Sequence, residues 1–471
     1  MTAVEKVSDL TPTVLQDLLR RSLGSPLLTV TSVRDPEELG GINTNYGSDL
    51  RKLVVTVEEE GRARDLHLVA KSALQTWAAW ANVWLNLFIF YRESFWFSTA
   101  LPELGQLVEA GQAVALAEVV PRVHLAYCNY QEDDLARCFL GKPKEKGVIL
   151  MENLQEGGED RFIDMKDIER TSGGGVKTAH MRMLLEGLAH FHGAWMVWLR
   201  QGGGLGNRTK EQIMDFLKQQ GAYQYKWMWK LFIKKTMAKY SLLAEAQKEP
   251  SIKEKVEAFI RSPESVDCFM KAFNYKDSKF KTVCHSDFQT SQIMYSLNED
   301  GEANCLHNKP KTFLLGSPKR VKILDFQGLT LGHPALDIWT MVYSATDPEY
   351  RAAHLEGDLC AYHTILATYM EDATDFAEFK QEVEERRVYG MVMFSKFLIF
   401  FILDIISFLL VHPNICESTY ILCYLELDFY SNCLKFNSYL HPSRLLLLHH
   451  PEPCEAAFPC QGDLKVLSCV Q

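Results

Sequence analysis

The chain is short of positive charge, of any secretory leader and of cysteine pairs at metal spacing, and each shortage removes a class of function. Its 50 Lys and Arg stand against 60 Asp and Glu, for a net charge of −10. A surface that binds nucleic acid needs the opposite sign, clustered, so no nucleic-acid partner is expected. The N-terminus, "MTAVEKVSDLTPTVLQDLLRR", lacks the apolar core of a signal peptide. A cytoplasmic chain with reduced thiols is the expectation that follows. None of its 12 cysteines stands in a C-x-x-C pair, which argues against zinc. No G-x-S-x-G elbow is present either, which argues against a serine acyl transferase.

Long apolar runs are nearly absent. "MVMFSKFLIFFILDIISFLLV", residues 391–411, has the 21 residues of a membrane span, but Lys396 and Asp404 interrupt it, and a charge near the centre of a span costs about 3 kcal/mol. A buried last helix is the better reading, with a membrane span as its alternative. Beyond about residue 405 the composition changes: six of the cysteines fall between Cys416 and Cys469, among prolines 442, 451, 453 and 459 and with no periodicity. A poorly ordered tail over 405–471 is expected there.

What remains is an ordinary globular composition, 47% hydrophobic and 23% charged over 471 residues, too long for one core and suited to two lobes plus an appendage. Short β-branched stretches at 27–34 and 51–57 and an alternating one at 64–74 predict three strands. The first two are separated by "GGINTNYGSD" (40–49), a glycine-rich connection that could cradle phosphate or serve only as a turn. Lys71 ends the third strand, and Glu93 follows among aromatics in "YRESFWFSTALPEL". A buried glutamate wants a cation, so the two are candidates for a pair. "GVILMENL" (147–154) predicts another strand, and "MRMLLEGLAHFHGAWMVWL" (181–199) a helix whose His190 and His192 point to different faces. Helical pattern and large rings continue over 211–240.

Two apolar stretches run out into aspartates: "HSDFQTSQIM" from His285 carries Asp287, with Gln292 five residues on, and "VKILDFQ" carries Asp325. A hairpin would bring them together, and carboxylates beside an amide are oxygen ligands of the kind Mg²⁺ takes alongside phosphate oxygens. The order of glycine loop, strand lysine, helix glutamate, H-x-D-x-x-x-x-amide and D-F-x is that of a kinase.

The combination "YGSD", "VAKSAL", "ESFWFSTALPEL", "VILMENL", "LAHFHGAW", "CHSDFQTSQIMY", "ILDFQ" and "HPALDIW" resembles the ecdysteroid-kinase-like, or CHK kinase-like, family, which is related to the choline and aminoglycoside phosphotransferases. The resemblance implies an α+β, bilobal protein-kinase-like fold: a small sheet lobe with one major helix over 1–150, a hinge at 151–158 and a larger, mainly helical lobe over 159–404. It implies ATP and Mg as cofactors and the hydroxyl of a small molecule, such as an ecdysteroid, as acceptor. It places Tyr46, Gly47 and Ser48 on the nucleotide, Lys71 on its phosphates with Glu93 opposite, and Glu152, Asn153 and Leu154 at the adenine. Asp287, with His285 beside it, becomes the catalytic base, and Asp325 and Gln292 the metal ligands. The family pattern has glycine and asparagine where this chain has Ser286 and Gln292. Gln moves the amide oxygen by about 1.5 Å, and a misplacement of about 1 Å can cost about 100-fold in rate. A catalytically silent relative that binds nucleotide or a small ligand is therefore the second expectation. Oligomeric state is not legible.

Overall fold

Thr11 caps the amide of Val14 and Pro12 opens the first helix, Pro12–Leu23, whose Leu15, Leu18 and Leu19 fall on one buried stripe. That stripe covers one face of an antiparallel sheet ordered β1-β3-β4-β6-β5, with a two-residue β2 (Glu37–Glu38) added to β3. The strands are β1 (Thr29–Val33), β3 (Ser48–Glu59), β4 (Arg62–Ala73), β5 (Val123–Asn129) and β6 (Lys146–Glu152). Between β3 and β4, Glu60 and Gly61 both have positive φ, at 50° and 75°, as a hairpin of matched twist requires. The three strands anticipated from pattern are β1, β3 and β4. β5 was not anticipated: its register shifts between Val123 and Leu125, and a bulge of this kind spoils the alternation that would have revealed it.

The other face of the sheet meets the helix Ile89–Phe95, which runs through a π turn, Trp96–Ala100, into Leu101–Leu107. The C-terminal portion is mainly helical. Its spine, Thr178–Gln201, buries Leu184, Leu185, Leu188, Phe191 and Trp195 and packs on Pro348–Ala367. Two small sheets sit against this spine. One is β10-β9-β7, from Pro318–Ile323, Ile293–Leu297 and Phe162–Asp164; the other pairs β11 (Thr330–Gly332) with β8 (Thr282–Cys284). A sheet-bearing N-terminal portion and a larger helical portion make up the expected bilobal α+β class.

The computed structural model describes residues 3–39, 48–73, 88–129, 146–156, 160–171, 178–218, 234, 250–262, 264–298, 317–372, 375–390 and 393. They lie in one unit, Met1–Leu398. Tyr46, Gly47, the rings between Tyr223 and Phe232 and the tail from 405 lie outside the described residues, as does all of 391–411 but Met393. Among the described residues no helix is long and apolar enough to cross a membrane.

Candidate active site

Lys71 reaches the site because β4 is an interior strand: it pairs with Leu50 of β3 on one side and Ile149 of β6 on the other. Its side chain is buried, with Nζ 2.5 Å from Glu93 Oε2 and 2.6 Å from Asp325 Oδ1. Burial alone would pull this lysine down, but the charges of Asp325 and Glu93 outweigh it and raise the pKa. One ammonium between two carboxylates leaves one negative charge in excess. Burial, opposed by Lys71 and reinforced by Asp325, pushes Glu93 up to about 7, so the excess is relieved by a proton there.

This gives a signed pH dependence. Glu93 binds its proton more tightly when folded, at about 7, than at its ordinary 4.5. Its stabilising contribution is therefore full below 4.5 and is lost as pH rises through 7. Lys71 stays charged throughout that window. The nucleotide-free Glu93→Gln variant, which mimics the protonated acid, should gain stability relative to the wild type between about pH 5 and pH 8, by on the order of 2 kcal/mol. Melting temperatures of both proteins across that range check it; a difference that does not change with pH rules it out.

Asp325 and Asp287 leave from the same ends of paired strands. β9 and β10 pair Ile293 with Ile323, and β8 and β11 pair Cys284 with Thr330. The two loops between them are stitched together: the Leu324 amide donates to Gln292 O at 2.8 Å, and His285 Nε2 lies 2.8 Å from Leu324 O. Phe326 packs on the His285 ring with centroids 5.1 Å apart. Gly328 lies so close that a Cβ there would stand 2.4 Å from His285 O and 3.4 Å from the Asp287 amide, so only glycine fits. Gln292 Nε2 donates to Asp325 Oδ2 at 3.1 Å, and Gln289 Nε2 to Asp287 Oδ1 at 3.4 Å. Lys71, Glu93, Asp325 and Gln292 thus form one bonded chain, with the Asp287 loop against it. Asp287, Gln292 and Asp325 keep a solvent-facing side, whereas Lys71, Glu93 and His285 are buried. His285, expected beside the base, is fully enclosed and ties the loops together.

The chain fits Mg²⁺ on its own geometry. Two oxygens on one octahedral Mg²⁺ stand about 3 Å apart, the separation between the Gln292 amide and Asp325 Oδ2; turning the amide presents its oxygen instead. At the other end of the site, Ser48 is buried opposite Ala73, two residues along β4 from Lys71. The Asn153 amide donates to His67 O, the Glu152 amide to Arg122 O, and Leu154 O accepts from Phe162. The Leu154 N–H makes no hydrogen bond among the described residues, and its side chain packs with Phe162, Met294 and Leu324 in an apolar patch beside Asp325.

Sequence reasoning missed the support beneath Asp287. Asp337 is fully buried and accepts from the His285 amide at 2.6 Å, the Ser286 amide at 2.7 Å and His192 Nε2 at 3.0 Å. Burial lowers the pKa of His192 and raises that of Tyr362, so the phenol donates to Nδ1 at 2.7 Å and Nε2–H to Asp337. His192 is fully buried, and both its ring nitrogens are taken by these two bonds. Cys284 lies within 4.8 Å of His192 and Asp337, but burial raises its thiol, which donates to His333 O. With every Asp337 oxygen taken by N–H donors, the trio is a hydrogen-bond anchor.

The anchor holds strain. Ser286 stands at φ +67°, a left-handed conformation that costs an L-residue roughly 1–2 kcal/mol, and among the described residues its buried hydroxyl has no hydrogen-bond partner. Ser286→Gly should therefore be about 1 kcal/mol more stable, after allowing for the entropy glycine restores to the unfolded chain. Chemical denaturation measures this, and a glycine variant less stable than the wild type contradicts it.

The model of the ecdysteroid kinase-like family matches residues 43–374, a span that contains Lys71, Glu93, Asp287, Gln292, Asp325 and Asp337. No curated protein matches the chain. Among solved structures, the macrolide 2′-phosphotransferase of Brachybacterium faecium, an apoenzyme, is 14% identical over 81% of this chain and 97% of its own, with a TM-score of 0.32. An aminoglycoside-3′-phosphotransferase of type VIII is 12% identical over 80% and 98%, at 0.27. A microcompartment-associated aminopropanol kinase is 10% identical over 81% and 89%, at 0.30.

Proposed function

This chain belongs to the ecdysteroid kinase-like family, and on that premise we propose that it transfers the γ-phosphate of ATP to a hydroxyl of a small molecule. The observation that carries the reading is the bonded chain Lys71–Asp325–Gln292, with the Asp287 loop packed against it. The chemistry a bound Mg²⁺ would supply there is positive charge against the negative charge that develops on the transferring phosphate. Asp325 and Gln292 would hold it from one side, while Lys71, steadied by Glu93, binds the phosphates. The Leu154 N–H donates to the adenine edge, and the Leu154, Met294 and Leu324 side chains cover its faces. Asp287 orients the acceptor hydroxyl and takes its proton. Asp337 and His285 keep that carboxylate in place without touching substrate. The ecdysteroid-like class of alcohol is the acceptor that the family suggests.

The test is a thermal-shift titration with Mg·ATP, followed by transfer of labelled phosphate to a pool of sterols and polar alcohols, with Asp287→Asn as control. The expected result is a shift in both proteins, with transfer in the variant slower by about 10² to 10⁴. A shift with no transfer to any acceptor would leave the silent binder instead. No shift at all defeats the nucleotide reading.

A further inference from the structure

Away from Lys71 and Asp325, the structure holds a cavity of about 640 Å³, a size that accepts a small organic molecule. It lies along β5, the last strand of the N-terminal sheet among the described residues. Leu18 and Arg21 of the first helix, Tyr91 and Phe95 of the Glu93 helix, and Leu125 and Tyr127 of β5 form its walls.

Its chemistry is one-sided. The walls are aromatic and aliphatic with scattered hydroxyls, those of Ser22, Ser94 and Ser98 among them, and among the described residues no carboxylate lines it. His124 is pushed down to about 4, by burial first and then by Arg122, so near neutral pH Arg21 is the only charged side chain of the lining among the described residues. Arg21 is exposed at the rim, with Nε donating to Asp17 O at 3.1 Å. An apolar body with one anionic end matches this distribution; a cation meets no carboxylate among the described residues of the lining.

Its position ties it to the site. Tyr91, Ser94 and Phe95 face the cavity on the same short helix whose Glu93 meets Lys71. The next wall is the π turn, through Phe97, Ser98 and Thr99, and π turns within α-helices are frequent at functional sites. On the opposite wall, the bulge residue His124 bonds through Nδ1 to Ser22 Oγ at 2.7 Å, fixing β5 to the first helix. One side of the cavity is thus anchored, and the other carries Glu93.

We propose that this cavity is an effector site for a small amphipathic carboxylate, its apolar body between the first helix and the Glu93 helix and its charge at Arg21, and that its occupancy sets Glu93 against Lys71. Binding is independent of the phosphotransferase reading; the coupling rests on it.

Calorimetric titration of the full chain with decanoate, beside decylamine and decanol, tests the site. Decanoate should saturate one site at least about tenfold more tightly than decylamine. Arg21→Glu should weaken decanoate by about tenfold, a charge effect of roughly 1.4 kcal/mol. Ala126→Trp, which fills the cavity from β5, should abolish binding without lowering the melting temperature. Saturating decanoate should change the Mg·ATP dissociation constant about fivefold or more, and Mg·ATP should change that of decanoate by the same factor. No saturable binding at about 1 mM, equal binding of decylamine, or undiminished binding by both variants overturns the site. An unchanged Mg·ATP affinity overturns the coupling. Failure of Mg·ATP to bind the wild type would count against the proposed function, and the decanoate titration would still decide the site.

Discussion

Asp325→Asn should lower phosphate transfer by on the order of 10³-fold while leaving the melting temperature of the nucleotide-free protein unchanged or higher. The two halves of that result have different causes. Asparagine keeps the volume and tolerates the left-handed backbone that Asp325 adopts at φ +64°. Its carbonyl can still accept from Lys71, and the Gln292 amide can turn to offer oxygen where it now donates. The substitution also removes the excess negative charge: Lys71 then faces Glu93 alone, and the glutamate no longer has a neighbouring carboxylate to raise it. Folding therefore loses little, and the pH-dependent stability difference between the wild type and Glu93→Gln should shrink in this background. Catalysis loses a charged oxygen ligand that an amide cannot replace, so the Mg²⁺ concentration for half-maximal rate should rise steeply. Activity within about tenfold of the wild type, with unchanged Mg²⁺ dependence, would show that Asp325 does not hold the metal. A large fall in melting temperature would show that it is chiefly structural.

How much of this could be read beforehand depended on whether the signal was local. Lys71, Asp287 and Asp325 are charged residues at the ends of apolar strands, and that contrast survives in a single sequence. The α+β class followed from the change of period between the first strands and the helix at 181–199. The paired loops followed from two strand-to-aspartate junctions that a hairpin could join. Asp337 gave no such signal: it stands inside an apolar helix, and its partners His285 and His192 are 52 and 145 residues away. β5 was hidden by its bulge, and so was the cavity along it, because a space between three elements has no sequence pattern of its own. Ser286 stood out only by contrast with the glycine of the family; its positive φ gives that contrast a physical reason.

Removing the Asp337 carboxylate should be the most damaging substitution to folding. Asp337→Ala strands the His285 and Ser286 amides and the His192 N–H in a buried site, where His285 and His192 have no exposed surface and Ser286 only 7%. Each buried donor left unmet costs about 1–3 kcal/mol, and breaking a buried charged network typically costs about 3–5 kcal/mol in all. That is a large part of the 5–15 kcal/mol that holds a typical domain folded. Asp337→Asn is the milder probe, since its oxygen can serve one amide while its NH₂ opposes the other. Its effect on rate should exceed its effect on binding. Asp337 reaches neither Lys71 nor Leu154 but restrains the backbone one residue before Asp287, and a shift of about 1 Å at a catalytic group can cost about 100-fold. A fall of that size in kcat with unchanged Mg·ATP affinity is the expected split. Ser286→Gly, introduced alongside Asp337→Asn, should recover part of the loss, because the turn no longer needs the carboxylate to hold a strained residue in place. The double-mutant coupling should therefore exceed the roughly 0.5 kcal/mol expected of independent sites. Simple additivity of the two substitutions, in rate and in stability, would mean that Asp337 does not act through the backbone at Ser286 and that the base is positioned by other contacts.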